Sequence, residues 1–352
     1  MLIEEYKPLA PLTTIGIGGP ARWFVEAASE EEIAEAAAWA QKSGVQLFAL
    51  GGGSNLLVSD TGFDGMVLRI RLRGIAKIDA PDSSGHKIYQ AAAGEEWEHC
   101  VQQTIEDGCA GIECLAGIPG TVGGTPVQNI GAYGQEAATV IERVRAYDLR
   151  ERRFVEFTAA QCGFAYRRSR FNSDDRGRHI ITRVDYRLIP GGAPALRYAE
   201  LQRNFPEGVQ PSLAEVAAQV RRIRQVKGML LVAGDPNCHS AGSFFKNPMI
   251  SEKQFRQITA VGEMSPPCFP ATQDGENQGK VKIPAAWLIE QAGFSKGYAL
   301  GKAAISSRHT LALVNRGGAS AADVLALAGL ITDAVVKRFG IRLETEPVML
   351  GF

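Results

Sequence analysis

The segment from Ala116 to Gly134, AGIPGTVGGTPVQNIGAYG, places the tightest limit on what this chain can fold into. It holds six glycines (Gly117, Gly120, Gly123, Gly124, Gly131, Gly134) and two prolines (Pro119, Pro126) in nineteen residues, too many for the interior of a helix or strand. The backbone itself must be the shaped object. Glycine lacks the Cβ that keeps a main chain away from a ligand, and Gln128 and Asn129 add amide groups alongside. Such a segment is suited to wrapping something flat or anionic, and a large cofactor is the natural candidate. A surface loop joining two subdomains is the alternative.

A second glycine cluster weighs against that alternative. The apolar run Val45 to Leu50 reads as a strand and empties into Gly51-Gly52-Gly53-Ser54-Asn55, where successive N–H groups can converge on a phosphate. The spacing differs from GxGxxG, and Leu56 to Val58 reads as another strand where a dinucleotide-binding unit would start a helix. A plain hairpin turn is the competing reading.

A chain of 352 residues predicts two or three domains. Lys+Arg and Asp+Glu balance at 38 each, so overall charge gives no reason to expect nucleic acid or an anionic membrane as partner. The start, MLIEEYKPLAPLTT, lacks the basic patch and apolar run of a signal peptide, and no stretch is apolar enough for a membrane span, so a cytoplasmic protein is expected. Six cysteines (Cys100, Cys109, Cys114, Cys162, Cys238, Cys268) show no CxxC spacing, and the histidines form no metal-ligand pattern with them. Reduced thiols and no metal are expected.

Coarse periodicity gives a mixed α+β chain. A strand ends near Val25, and Ser29-Glu30-Glu31-Glu32 reads as a capping box opening an alanine-rich helix that stops at Gly44. Strands are expected at 66–70, 86–93, 141–149, 153–157 and 179–188, and a helix from Glu95 to Asp107 closed by Gly108. Pro211-Ser212 opens a helix through Val226. Helices follow near 252–259, over Ala285 to Gln291 and from a Ser320 cap to Phe339, with a last strand at Ile341 to Leu343.

Taken together and in this order, GGGSN, GIPGTVGGTPVQNIGAYG, FAYRRSRF, AGSFFKNP and LETEP resemble the UDP-N-acetylenolpyruvoylglucosamine reductase family, flavoenzymes of bacterial peptidoglycan precursor synthesis. The resemblance spans nearly the whole chain. It implies an FAD-binding fold of the vanillyl-alcohol-oxidase type (PCMH-like) in two subdomains, 1–73 and 74–210, plus a separate α+β substrate-binding domain, 211–340, with 341–352 returning to the first subdomain. The implied FAD cradle is Gly51, Gly52, Gly53, Ser54 and Asn55 with Gly117, Ile118, Pro119, Gly120, Thr121, Gly123, Gly124, Asn129, Gly131, Tyr133 and Gly134. The FAD would be held noncovalently, NADPH would be the hydride donor, and a UDP-sugar enolpyruvyl ether would be reduced to UDP-N-acetylmuramate. A monomer is expected.

The resemblance also implies roles in catalysis. Arg167, directly after Tyr166, would grip the substrate carboxylate, a task suited to a planar guanidinium, whereas the residues alone read as a basic solvated loop. Ser243 would protonate the carbon next to the one that receives hydride, although a Gly-Ser pair commonly marks a turn and no GxSxG is present. A serine hydroxyl is a feeble acid, so nearby cations and a carboxyl are needed, and Lys227 and Glu346 match. Glu346 is the second glutamate of LETEP.

Substrate contacts by the same resemblance are Tyr198, Arg224, Lys227, Asn247, Lys282 and His309. On the residues alone, Arg224 and Lys227 read as charges complementing a helix C-terminus, and His309 as a structural histidine beside a strand. The chain departs from the family in a longer loop around Asp274 to Gly279 and in Phe269, where some members carry tyrosine. Two rivals remain open: an FAD-linked oxidase acting on a small alcohol, and a nucleotide-sugar-binding protein without turnover. Without the resemblance, the residues indicate a multidomain protein with an anionic cofactor.

Overall fold

The alanine-rich segment after Ser29 forms the helix Glu30–Lys42 in the computed structural model, which describes residues 1–80, 84–206, 208–261, 266–270 and 279–352. Ile33, Ala36, Ala37 and Ala40 are its buried residues, a spacing that gives one apolar stripe. Ser29 Oγ accepts from the Glu32 N–H. The Glu32 carboxylate reaches one residue further back than a capping box requires and accepts from the Ala28 N–H at 2.6 Å. This helix connects Pro20–Ala27 to Leu47–Leu50, and both strands lie parallel to Phe63–Ile70 between them. Glu4–Pro8 completes the sheet at its other edge.

The chain separates into two units, each with its own core. The first comprises Met1–Lys7, Pro20–Gly53 and Phe63–Val226; the second comprises Pro8–Gly19, Ser54–Gly62 and Lys227–Phe352. Besides the parallel sheet, the first unit contains an antiparallel sheet in the order Arg153–Thr158, Ile141–Asp148, His179–Pro190, Lys87–Ala92, Ile75–Asp79. Fully buried Tyr89, Trp97 and Tyr186 belong to its core, where Trp97 Nε1 donates to the Leu115 carbonyl. The helix expected from Glu95 starts at Trp97, because the buried Glu95 carboxylate accepts the Gly74 and Glu96 N–H groups and an Arg73 guanidinium bond. Leu213–Val226 forms a helix of this unit, opened by reciprocal bonds between Ser212 and Glu215.

The second unit is α+β as well. Ser240–Ser243, Ala312–Asn315, Ala303–Ile305 and Ala299–Leu300 form one antiparallel sheet, and Met249–Ser251, Lys280–Lys282 and Phe269–Pro270 form another. The capped helix Ala321–Phe339 buries Val324, Leu327, Ile331 and Val335. Ile341 to Leu343 is irregular. Ile341 and Leu343 are buried with Arg342 exposed between them, so the alternation comes from core packing without a ladder partner. The C-terminal strand is Val348–Leu350, parallel to Leu56–Val58. Residues 274–278 of the longer loop lie outside the described residues. Among the described residues, no helix is long and apolar enough to cross a membrane, no group of three potential metal ligands occurs, and the six cysteines are unpaired.

An ionic network braces the end of the antiparallel sheet in the first unit. The buried Asp148 carboxylate accepts two bonds from Arg178 Nε and one from Nη2, together with the N–H groups of Arg150 and Glu151. Burial alone would raise its pKa, but these bonds and the neighbouring His179 hold it well below the usual carboxylate range. A carboxyl depressed in this way stabilises the fold above its unfolded-state value of about 4 and loses that stabilisation as pH falls towards the folded value. Asp148→Asn is expected to cost about 1–2 kcal/mol at pH 7 by removing the charge that the Arg178, Arg150 and Glu151 donors meet, with Asp175 and Glu151 still beside Arg178. In chemical denaturation, the gap from the parent protein should narrow below about pH 4.

Candidate active site

The two glycine loops meet within the first unit. A Cβ on Gly52 would lie 2.5 Å from Gly120 Cα, a separation only glycine permits, and one on Gly51 would lie 2.7 Å from Thr121 Oγ1. The second loop is pinned from behind, with Trp97 N–H donating to the Gly120 carbonyl, Val122 N–H to Glu95 and Gly123 N–H to Ala93. Thr121 Oγ1 is buried and has no hydrogen-bond partner among the described residues. Two backbones in close approach beside an orphaned hydroxyl fit a large anionic cofactor carrying a pyrophosphate, since amide groups and a hydroxyl can meet its oxygens without side-chain bulk.

Gly117, at the start of the second loop, is held at both peptide groups. Its N–H donates to Glu98, whose other oxygen accepts from Arg221 Nε, and its carbonyl accepts from Arg224 Nε at 2.9 Å. Arg221 and Arg224 are three apart on one helix, so Arg224 reaches Gly117 directly and Arg221 reaches it through Glu98. Arg224 is buried, which lowers its pKa, while the neighbouring Tyr133 hydroxyl and Glu98 carboxylate oppose the shift. Burial pushes the Tyr133 hydroxyl up to about 12. The Tyr133 ring meets Tyr198 edge to face at 5.7 Å, and Tyr198 is half-exposed. Ile118 and Pro119 continue the loop at its partly exposed rim. Nothing in the local sequence marks Glu98, and Arg221 is marked only by its helical spacing from Arg224.

Among the described residues, five non-glycines have positive φ, and three belong to this region: Asn129 (44°), Tyr133 (48°) and Arg167 (53°). Asn129 spends its side chain on protein partners. Its Nδ2 donates to Glu136 and to the Ala165 carbonyl, and its Oδ1 accepts from Ala138 N–H. Its N–H donates to the Pro126 carbonyl at 3.5 Å, so the protein engages its main chain as well. Arg167 donates through Nη2 to the Gly131 carbonyl at 2.9 Å and through Nη1 to that of Asn129 at 3.4 Å. Gly124 lies in the short helical turn after Thr121, and Gly134 lies against Arg197 next to Tyr198.

Ser243 and Glu346 belong to the second unit, on hydrogen-bonded neighbouring segments. Phe245 and Thr345 form an antiparallel bridge, Glu346 N–H donates to the Phe244 carbonyl at 2.9 Å, and Lys246 N–H donates to Glu344. Ser243 ends a bulged strand: its register against Ala312–Asn315 gains one residue after Ser240, and Gly242 takes φ 76° there. A bulge of this kind re-aims the side chain that follows. Ser54 and Asn55, the last residues of the first glycine loop, are also in this unit, where Asn55 Nδ2 donates to the Glu346 carbonyl and Val348 N–H to the Asn55 carbonyl.

Asn247, Lys282, His309 and Lys227 belong to the second unit, and Asn247 and Lys282 lie next to one strand pairing. Asn247 Oδ1 accepts from Ala285 N–H, the first residue of the Ala285–Gln291 helix, so the fold itself uses this oxygen. Lys282 ends the central strand of the small sheet, opposite Met249 and Phe269. His309 Nδ1 accepts from Leu311 N–H, and the partly buried Lys227 directly follows the Leu213–Val226 helix.

Comparisons with known proteins agree with this layout. A family model described as FAD binding domain matches residues 21–151, and one described as UDP-N-acetylenolpyruvoylglucosamine reductase, C-terminal domain, matches residues 235–350. UDP-N-acetylenolpyruvoylglucosamine reductase of Thermobifida fusca is 44% identical over 98% of this chain and 97% of its own length. The Streptomyces coelicolor protein of the same name is 44% identical over 98% and 89%. The crystal structure of UDP-N-acetylenolpyruvylglucosamine reductase from Thermus caldophilus superposes with a TM-score of 0.64 at 26% identity, covering 99% of this chain and 98% of that one. On full-length identity of this degree and two closely approaching glycine loops suited to FAD, the chain belongs to the UDP-N-acetylenolpyruvoylglucosamine reductase family, FAD-dependent oxidoreductases of peptidoglycan precursor synthesis.

Proposed function

We propose that this chain reduces the enolpyruvyl ether of UDP-N-acetylglucosamine to UDP-N-acetylmuramate, with NADPH as hydride source, noncovalently held FAD as carrier and Ser243 as proton donor. The observation that carries the reading is the bulged strand that aims Ser243 and is hydrogen-bonded to the Glu346 segment. Gly51 to Gly53 and Gly117 to Thr121 would hold FAD, with Thr121 Oγ1 and main-chain N–H groups meeting its phosphates. FAD, when bound and reduced by NADPH, would supply the hydride that adds to one carbon of the enolpyruvyl double bond.

Addition at the terminal carbon leaves electron density on the carbon that bears the carboxylate. Arg167 would hold that carboxylate with two parallel N–H bonds and stabilise the charge spreading into it. The Ser243 O–H bond breaks as a C–H bond forms, and the alkoxide left on Oγ is stabilised by a cation or reprotonated through Glu346. Lys227, Lys282, His309, Tyr198 and the Asn247 Nδ2 group would bind the sugar nucleotide. The bond from Arg224 to the Gly117 carbonyl supports a different task for that residue, holding the cofactor loop.

An anaerobic visible spectrum of the FAD-loaded protein tests the reading. NADPH should bleach the flavin band and the enolpyruvyl substrate should restore it; restoration by air alone would count against the reaction. Ser243→Ala should leave bleaching by NADPH intact and slow restoration by about 10²–10⁴-fold. Equal losses in both half-reactions would remove the proton-donor role. Gly52→Ala should lose FAD on gel filtration while the far-UV spectrum is retained, because the new methyl group can be accommodated only by parting the two glycine loops.

A further inference from the structure

Arg167 occupies a backbone position that an arginine rarely adopts. Ala165 and Arg168 close a two-residue turn through reciprocal N–H to carbonyl bonds of 3.0 and 3.1 Å, and of its two central residues only Arg167 has positive φ. This corresponds to the third position of a type II turn, where glycine or asparagine is usual. A residue with a Cβ stays in such a conformation only when its surroundings over-determine it.

The side chain of Asn172 contributes to that constraint. Its Nδ2 donates to the Arg167 carbonyl at 3.2 Å, while its Oδ1 accepts from Ser169 N–H at 2.9 Å. The partners themselves dictate this orientation of the amide, since a carbonyl needs a donor and an N–H needs an acceptor. Ser169 is fully buried and anchors the turn in its place, with Oγ donating to the Val127 carbonyl and accepting from Phe171 N–H. The guanidinium end is tied to Gly131 and Asn129, so Asn172 holds the main-chain end of the same residue.

We propose that Asn172 is a positioning residue for recognition of the substrate carboxylate: by bonding the Arg167 carbonyl it keeps the turn in the left-handed form that presents the guanidinium. The inference rests on the assignment of Arg167 to that carboxylate. A residue that merely caps the short helical turn Arg170–Asn172 would need only its oxygen, which Asn172 also supplies to Ser169. Asn172→Asp separates the two roles, because aspartate keeps the acceptor for Ser169 and sets a carboxylate oxygen against the Arg167 carbonyl.

The experiment compares the FAD-loaded parent protein with Asn172→Asp, Arg167→Gly and the double variant. Glycine at 167 removes the guanidinium and suits the left-handed turn. The readouts are the dissociation constant of UDP-N-acetylglucosamine enolpyruvate, from its perturbation of the oxidised flavin spectrum, KM and kcat, and the rate of bleaching by NADPH. Asn172→Asp should raise the dissociation constant and KM roughly tenfold or more, leave FAD content and bleaching unchanged, and add nothing once Arg167→Gly is present. An unchanged dissociation constant in Asn172→Asp, with Arg167→Gly impaired, would overturn this inference alone. Additive effects in the double variant would also overturn it by making Asn172 independent of Arg167. An unimpaired Arg167→Gly would overturn the assignment of Arg167 and the inference with it. Should Asn172→Asp not fold, Asn172→Ser, too short to span both groups, supports the same comparison with the same outcomes.

Discussion

The approach of Gly52 to Gly120 is the constraint around which the first unit is built. A Cβ at position 52 would lie 2.5 Å from the opposing Cα, so two loops from distant parts of the chain face each other with bare backbone. Main-chain groups brought together in this way need partners, and bonds to Trp97, Glu95 and Ala93 satisfy part of the second loop from behind. Glu98, from the Trp97–Glu106 helix, and Arg224, from the Leu213–Val226 helix, hold Gly117, and Arg221 of the second helix braces Glu98. The orphaned Thr121 hydroxyl beside this close approach suits the phosphates of FAD.

Backbone strain gathers in the same region. Asn129, Tyr133 and Arg167 each take a conformation that costs on the order of 1–3 kcal/mol for a residue with a Cβ, and each buried hydrogen bond returns about 1 kcal/mol. Asn129 offsets its cost with three side-chain bonds, and Arg167 with the Asn172 amide and two guanidinium bonds. Tyr133 is packed edge to face on Tyr198. The second unit meets a similar demand with glycine, because Gly242 turns the bulge before Ser243 without a side chain to strain. A shared logic links the two places: a local departure from regular geometry aims one polar side chain, and neighbouring bonds keep it aimed.

Most of the regular structure was legible in the sequence because its causes are local. The stripe Ile33, Ala36, Ala37, Ala40 and the Ser29 and Ser320 caps marked their helices, and the strands at 141–148 and 153–158 ended within a residue of expectation. Expectation failed where burial imitated a ladder, as at Ile341 to Leu343, and where a buried side chain was claimed by a distant loop, as with Glu95. Of the candidate site, the glycine loops could be read from composition alone. The individual roles of polar residues came only through family resemblance, and the bonds of Asn129, Asn247 and Arg224 turn those side chains towards the protein's own backbone.

The sequence by itself determined where the chain bends, where it is capped and where its backbone can approach a ligand, since glycine, proline and capping residues act within a few positions of themselves. Only the tertiary structure decided which partner each polar group takes. Arg224 meets a carbonyl 107 residues away, and Asn55 one 291 residues away. Such pairings depend on desolvation and alignment, which arise only once the remote segments have packed, and no local pattern in the sequence encodes them.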